Sequence, residues 1–290
     1  MLGAIMGDIA GSLYEGGACR DACFELFGPG SDFTDDTVCT IAIADALLAG
    51  KPVADTLRAW CRVYPGVGYG SAFNHWVYSP SKGPYQSWGN GGAMRVSPCG
   101  WFASSLEEAE QLAEMTAAVT HDHPEGLRGA RAVAGAIWLA RQSLPAGELL
   151  RRVGERYGYV LGVDVKERAH QNPAGCEARD TVPIALDCGL QATSVLDAIQ
   201  RAVYIGGDTD TTASMAAAIA EARFGLSQVL ADMTLEKLTP EMKAVLVRAY
   251  ARAGVPMGKA ASGSLPVARV WPRSQSAWFR WTAWWRALAR

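Results

Sequence analysis

Apolar residues recur at helical spacing through nearly the whole chain, and this pattern limits the possible folds more than any other feature. Between Thr34 and Leu48, for example, Val38, Ile41 and Ala42 stand at positions i, i+3 and i+4. The same spacing runs through five further segments, which are Leu106 to Val119, Gly126 to Arg141, Ser194 to Tyr204, Thr209 to Phe224 and Pro240 to Ala253. Alternating strand patterns of useful length are scarce. The sequence therefore predicts an all-α bundle whose loops converge on one face.

Boundary signals agree with this pattern. Gly50-Lys51-Pro52 ends the first helical segment, and Thr239-Pro240 supplies an N-cap followed by proline at the first helical position. The long irregular stretch Tyr64 to Ser97 is rich in Gly, Pro, Ser, Asn and aromatic residues. A loop of that length inside a compact domain is usually functional, so we expect it to contribute to a site.

Composition excludes several classes of protein. The formal net charge is −2, with an ordinary share of charged residues, and gives no indication of nucleic-acid binding. The first residues lack a basic region and reach an acid at Asp8, so a signal peptide is not expected. No apolar run approaches the roughly 18 residues of a membrane span. The seven cysteines lack C-x-x-C spacing, which indicates reduced thiols and a cytoplasmic location.

Two acidic motifs, some 170 residues apart, each fall where a coil gives way to a helix. The first motif is Thr34-Asp35-Asp36 and the second is Asp208-Thr209-Asp210-Thr211. Either motif alone is typical of a helix N-cap whose acids complement the helix dipole. Together they indicate a two-cation site, because carboxylates brought close together repel one another unless a cation holds them. A ligand set of oxygens without His or Cys favours Mg²⁺ or Mn²⁺ over zinc.

Three further short elements carry polar groups. The first is a glycine loop within the long irregular stretch, comprising Ser87, Trp88, Gly89, Asn90, Gly91 and Gly92. Its uncovered amides, followed by a predicted helix over Ala93 to Ala103, could cradle a phosphate or diphosphate, although the same residues are also ordinary turn formers. His121 ends one helix and precedes another, where it could cap a helix or contact a ligand. Glu15 stands just past a glycine-punctuated helix.

In combination these elements resemble the ADP-ribosylglycohydrolase family, which includes ADP-ribosyl-acceptor hydrolases and dinitrogenase reductase-activating glycohydrolases. The resemblance covers about residues 1–253 and runs in order through Gly7 to Glu15, Phe33 to Thr37, Gly68 to Gly70, Gly89 to Arg95, Thr120-His121 and Gly206 to Thr211. It implies an all-α fold, a compact orthogonal helical bundle with a dinuclear Mg²⁺ or Mn²⁺ site. It also implies removal of ADP-ribose from a modified acceptor.

The resemblance also implies roles for individual residues. Thr34, Asp35 and Asp36 would bind one ion, Asp208 and Thr211 would bind the other, and Asp210 would bridge the two. Glu15 corresponds to a mobile glutamate beside the metals. The glycine loop from Ser87 to Gly92 would hold the diphosphate, Gly68, Tyr69 and Gly70 would line the same groove, and His121 would face the ribose or a phosphate. Trp88 replaces a different aromatic of some relatives, and Tyr85 is the nearest candidate for an adenine platform.

Cleavage at the anomeric carbon of a ribose builds positive charge there, and a carboxylate can activate water or protonate the leaving group. Glu15, Asp35 and Asp36 are the candidate catalytic residues, and the sequence does not choose the base among them. The substrate would be an ADP-ribosylated protein, with free ADP-ribose as a product. The alternatives are hydrolysis of a small conjugate such as an O-acyl-ADP-ribose, and a non-catalytic ADP-ribose-binding or structural protein on the same scaffold.

The chain divides into a predicted catalytic domain, residues 1–256, and a tail, residues 257–290. Trp278, Trp281, Trp285 and Leu288 fall on one helical face of the tail, which is also rich in arginine. Such a segment could pack back on the bundle, or it could contact a partner or an anionic membrane surface.

Overall fold

The computed structural model describes residues 1–20, 25–79, 81, 83–171 and 175–259. These residues form α-helices, one short 3-10 helix at Ser12–Tyr14 and three isolated β-bridges, but no β-strand. The helices are α1 Leu2–Gly11, α2 Asp35–Ala49, α3 Val53–Val63, α4 Ser71–Val77, α5 Gly91–Met94, α6 Ser97–Phe102, α7 Leu106–Ala117, α8 Pro124–Ala140, α9 Ala146–Tyr157, α10 Val165–Gln171, α11 Ala178–Gln191, α12 Val195–Ile205, α13 Thr209–Phe224, α14 Gln228–Glu236 and α15 Pro240–Ala253. The all-α prediction is confirmed.

Helix α13 is the centre of the bundle, and every residue from Thr209 to Glu221 is buried. Helix α1 lies directly against it because glycines repeat at every fourth position. A Cβ atom added to Gly3, Gly7 or Gly11 would stand only 2.6, 2.2 and 2.4 Å from a backbone oxygen of α13. The two helices are therefore in backbone contact, which brings acids carried by α1 and α13 close together.

Several predicted boundaries are confirmed. Helix α2 begins after Thr34, whose hydroxyl accepts a hydrogen bond from Asp36 N, and it ends at Gly50 in the left-handed region with φ +62°. Glycine adopts that conformation without steric cost. Helix α15 begins at Pro240 after the N-cap Thr239, as the Thr-Pro signal predicts.

The irregular stretch from Tyr64 to Ser97 differs from the prediction in two ways. It contains the short helices α4 and α5 rather than loop alone. The helix predicted over Ala93 to Ala103 is divided into α5 and α6, with Pro98 in the first turn of α6. Proline has no amide hydrogen to continue an earlier helix. With α5 limited to four residues, any anion binding here depends on its individual amides rather than on a helix dipole.

The tryptophans and arginines of the tail lie outside the described residues, which end at Lys259. Within the described part of the chain, every helix is too short or too polar to cross a membrane.

Candidate active site

Asp8 of α1 anchors the start of α2. Its side chain is fully buried and accepts hydrogen bonds from Thr34 Oγ1 at 2.7 Å, from Thr34 N at 3.0 Å, and from Thr37 N and Oγ1 at 3.0 and 2.5 Å. Burial raises the pKa of Asp8 to about 6, while the hydrogen bonds from Thr37 and Thr34 oppose that rise. Since a carboxylate has about four acceptor positions, the capacity of Asp8 is essentially filled by protein donors.

Asp8, Asp36 and Asp210 form a buried group that we call the carboxylate cluster, in which one oxygen from each lies within 4.8 Å of the others. Asp36 comes from the first turn of α2 and Asp210 from the first turn of α13. Asp36 Oδ2 accepts a hydrogen bond from Thr211 Oγ1 at 3.0 Å, whereas Asp36 Oδ1 is buried without a partner among the described residues. A buried acceptor of this kind needs a donor or a cation.

The acids of this region hold protons more tightly than isolated carboxylates do. Burial, followed by the nearby charge of Asp8, raises the pKa of Asp35 to about 7 and that of Asp36 well above its usual range. Burial and then the charge of Asp208 raise the pKa of Asp210 to about 9. In the absence of a cation, these side chains therefore cannot all be ionised at neutral pH without a cost in free energy.

The loop at residues 67–70 lies beside Asp35. Asp35 N donates to Val67 O at 2.8 Å, and a Cβ atom on Gly68 would lie 3.1 Å from Asp35 Oδ1. Gly68, with φ +102°, and Gly70 are both exposed. The ring of Tyr69 packs 5.7 Å from that of Phe73, and its buried hydroxyl contacts the Cys61 side chain. The backbone of this loop therefore reaches the acids more directly than the Tyr69 side chain does.

Glu15 lies at the exposed rim of the same region, on a loop that is hydrogen-bonded to Gly207, the residue before the second acidic motif. Gly16 N donates to Gly207 O at 2.9 Å, and Gly207 N donates to Gly17 O at 2.8 Å. The charge of Glu15 contributes to the raised pKa values of Asp35 and Asp210. Glu15 is thus near both acidic motifs, and its own carboxylate contacts no protein donor among the described residues.

The glycine loop is connected to the second acidic motif through Asn90. Asn90 Nδ2 donates to Asp208 Oδ2 at 2.7 Å, and Asn90 N donates to Cys176 O at 2.8 Å. Ala178 N donates to Trp88 O at 3.0 Å, so the 176–178 segment holds the loop from behind. Gly91 and Gly92 open α5, and amides at the start of a helix have no partner within it.

His121 lies against the back of the glycine loop. A Cβ atom would stand 3.0 Å from His121 Nε2 if added to Gly91, and 2.9 Å from His121 Cβ if added to Gly92. The ring centroid of Tyr85 is 6.2 Å from that of His121. Gly89 N contacts Ser87 Oγ at 3.3 Å. Trp88 is 57% exposed and meets the ring of His123 edge-on at 6.0 Å between centroids.

The structure therefore brings both acidic motifs, Glu15, the 67–70 loop, the glycine loop and His121 to one face, although their catalytic and binding roles remain predictions. Sequence reasoning gave no role to Asp8. The sequence around Asp8 did indicate a supporting role, because a single acid inside an apolar, glycine-spaced helix is buried only with hydrogen-bonding partners.

The protein is an all-α bundle in which a buried carboxylate cluster lies beside a glycine loop. The ADP-ribosylglycohydrolase family model matches residues 1–258, and the chain belongs to that family. Relatives include the ADP-ribosylhydrolases ARH3 of Mus musculus and Homo sapiens, each 28% identical over 79% of this chain, covering 84% and 85% of the relative. An uncharacterised Archaeoglobus fulgidus protein is 26% identical over 77% of this chain and 86% of its own length.

The fold also has a counterpart among solved structures. A chain of an ADP-ribosylglycohydrolase-related protein complex superposes with a TM-score of 0.65 at 22% sequence identity. The match covers 87% of this chain and 97% of the other.

Proposed function

We propose that this protein is a metal-dependent hydrolase that removes ADP-ribose from a modified protein side chain. Family membership supports a glycohydrolase activity. The observation that carries the proposal furthest is Asp36 Oδ1, which has no partner among the described residues. It lies in a carboxylate cluster whose Asp210 interacts with Asp208, and Asp208 is bonded to Asn90 of the glycine loop. This arrangement supports a cation site and an anion-binding loop side by side, as a diphosphate-linked ribose would need.

The donor set fits Mg²⁺ or Mn²⁺. Asp36 and Asp210 have carboxylate oxygens available to a cation, Asp35 and Asp208 lie within electrostatic reach of them, and all of these ligands are oxygen. Two ions held by Thr34, Asp35, Asp36, Asp208, Asp210 and Thr211 remain our proposal. When bound, they would orient the ribose hydroxyls and acidify a water molecule.

Residues of the chain would supply the base, support the first acidic motif and bind the diphosphate. We assign the base to Glu15 rather than to Asp35 or Asp36, because Glu15 is exposed at the rim and its carboxylate contacts no donor among the described residues. Asp8 keeps the first acidic motif in place through Thr34 and Thr37. The amides of Gly91 and Gly92 and the ring of His121 would hold the diphosphate, and Gly68 and Gly70 leave the approach to Asp35 open.

The decisive experiment measures released ADP-ribose from Arg-linked, Ser-linked and O-acyl-linked substrates, with Mg²⁺ and with excess chelator. We expect release from at least one protein linkage in Mg²⁺ and none in chelator. Glu15→Gln serves as the matched variant, expected to bind ADP-ribose but to lose turnover. Release from O-acyl-ADP-ribose alone would assign the activity to small conjugates. ADP-ribose binding without any release would support the non-catalytic alternative.

Other predictions from the sequence are retained as proposals. These are the division into a catalytic domain over 1–256 and a tail over 257–290, a partner or membrane contact by that tail, and a cytoplasmic location.

A further inference from the structure

Arg95 is a buried cation with no carboxylate partner among the residues that the structure describes. It directly follows α5, and its side chain is fully buried. Its guanidinium donates to Thr120 Oγ1 at 2.7 Å and to Thr116 O at 3.3 Å, and it lies 5.8 Å from the centroid of the Phe73 ring. Burying a charge without an opposite charge costs free energy. The burial of the Arg95 guanidinium therefore indicates a function beyond packing.

The contact with Thr120 determines the direction of the next hydrogen bond. A guanidinium can only donate, so Thr120 Oγ1 is the acceptor from Arg95. Thr120 Oγ1 also lies 2.7 Å from His121 Nδ1, and these two contacts are its only hydrogen bonds among the described residues. The single hydroxyl proton of the buried Thr120 therefore points at His121 Nδ1. The opposite arrangement, with a proton on Nδ1, would leave that hydroxyl proton buried without an acceptor, which is strongly unfavourable.

The other ring nitrogen of His121 faces the glycine loop. His121 is only 5% exposed, and no protein group among the described residues accepts a hydrogen bond from Nε2. Nε2 lies where a Cβ atom on Gly91 would be 3.0 Å away and one on Gly89 would be 3.7 Å away. Because a neutral imidazole carries one proton, acceptance at Nδ1 places that proton on Nε2.

We propose that Arg95 and Thr120 are positioning residues that fix His121 as the Nε2–H tautomer, so that the ring donates a hydrogen bond to an acceptor oxygen of the ligand at the glycine loop. The ligand part of this inference rests on the function proposed above, whereas the tautomer does not. Burial, followed by the charge of Arg95, also holds the pKa of His121 well below its ordinary value. Burial and the charge of Arg95 together thus keep the ring neutral, and Arg95 orients it through Thr120.

The tautomer can be read directly by long-range ¹⁵N–¹H correlation spectroscopy on the full chain labelled at histidine, at pH 7.5 without ligand. The chain has four histidines, and His121→Gln assigns the relevant signal by its loss. We expect the Nε2–H pattern in the wild type and in Thr120→Ser, which keeps the hydroxyl. Thr120→Val, which keeps the shape, should shift His121 toward Nδ1–H. A wild-type ring protonated on Nδ1, or a Thr120→Val spectrum identical to the wild type, would overturn the proposal.

Calorimetric titration with ADP-ribose in Mg²⁺ tests the donor role. The loss of one oriented hydrogen bond should weaken binding about tenfold in Thr120→Val, and Thr120→Ser should restore it. Equal affinity in both variants, despite a changed tautomer, would refute the donor role. Absence of binding to the wild type would refute the proposed function instead, while the spectrum still decides the tautomer. If Thr120→Val fails to fold by circular dichroism, the wild-type and Thr120→Ser spectra decide.

Discussion

At the scale of single residues, the aspartates of the carboxylate cluster differ in how much of their acceptor capacity is already used. Asp8 accepts from both hydroxyls and both amides of Thr34 and Thr37. Asp36 has an oxygen with no partner among the described residues, and Asp210 projects into the same space from α13. We therefore expect Asp8 to support the site rather than to bind a cation, although one of its oxygens lies within 4.8 Å of oxygens of Asp36 and Asp210.

Asp210→Ala should remove at least one ion and most of the turnover while leaving the helical content near that of the wild type. The substitution deletes a carboxylate from a group whose members raise one another's pKa values. It therefore removes electrostatic repulsion between the aspartates as well as a metal ligand, and the folded bundle is retained. Elemental analysis of the dialysed protein gives the metal content per chain. Metal content equal to that of the wild type would show that Asp210 is not a ligand.

Asp8→Asn should act differently, because an amide cannot accept hydrogen bonds at both of its ends. We expect metal affinity to fall about 10- to 100-fold, as is typical when a group supporting the ligands is lost, while the number of ions bound at saturation is unchanged. Titration calorimetry with Mn²⁺ measures both quantities. Asp55→Asn is the matched control, since the Asp55 side chain is 76% exposed. A reduced number of ions in Asp8→Asn would make Asp8 a direct ligand.

The sequence allowed the acidic motifs to be found because each places several acids next to one another at a helix start. It did not reveal the function of Asp8, whose partners Thr34 and Thr37 lie 26 and 29 residues away. The Arg95 contact with Thr120 is of the same kind. Such pairs depend on which helices pack together, and periodicity along one segment carries no information about that.

At the scale of secondary structure elements, the contact between α1 and α13 depends on the absence of side chains at Gly3, Gly7 and Gly11. Gly7→Ala should lower the free energy of unfolding by about 1–3 kcal/mol, because the new Cβ would lie 2.2 Å from Ala213 O and backbone atoms must move. Urea titration followed by circular dichroism measures this change. Gly147→Ala in α9 is the control, since no atom from another part of the described chain lies within 4 Å of its added Cβ. Equal stability of the two variants would contradict the close packing.

The glycine loop gives a second prediction at this scale. Gly91→Val should weaken binding of free ADP-ribose by more than about tenfold, because a side chain there would crowd His121 Nε2, 3.0 Å from the added Cβ, and cover the amides. Metal binding should be retained. Gly83→Val is a suitable control, because no atom of the described residues, apart from its own chain neighbours, lies within 4 Å of a Cβ at Gly83. Calorimetry showing affinity within tenfold of the wild type would show that this loop does not hold the diphosphate.

Long periodic helices were the most predictable elements. The predicted bounds of α13 and α15 match the structure, because both are fixed by local signals such as Gly225 and Thr239-Pro240. The short helices α4 and α5 were not predicted. Four to seven residues contain too little periodicity, and α5 is stabilised by a distant contact of Asn90 N with Cys176 O at 2.8 Å.

At the scale of the whole molecule, we expect the carboxylate cluster to couple the stability of the bundle to pH and to divalent cations. In the metal-free protein the pKa of Asp8 is about 6, that of Asp35 about 7 and that of Asp210 about 9, against 3.8 for an isolated aspartate. The folded state thus binds protons more tightly than the unfolded chain. Stability is therefore greatest when these groups are protonated, and it declines as pH rises from about 4 through the folded pKa values.

We expect the thermal midpoint of the chelator-treated protein to fall by several degrees between pH 5.5 and pH 8. Saturating Mg²⁺ should restore the midpoint increasingly as pH rises, because a cation replaces protons as the counter-charge of Asp36 and Asp210. Differential scanning calorimetry at matched ionic strength measures both trends. Asp210→Asn should flatten the pH dependence of the metal-free protein, since it removes the acid with the pKa of about 9. A Mg²⁺ effect that shrinks as pH rises would contradict a cation held by these carboxylates, because proton competition can only weaken such a site at low pH.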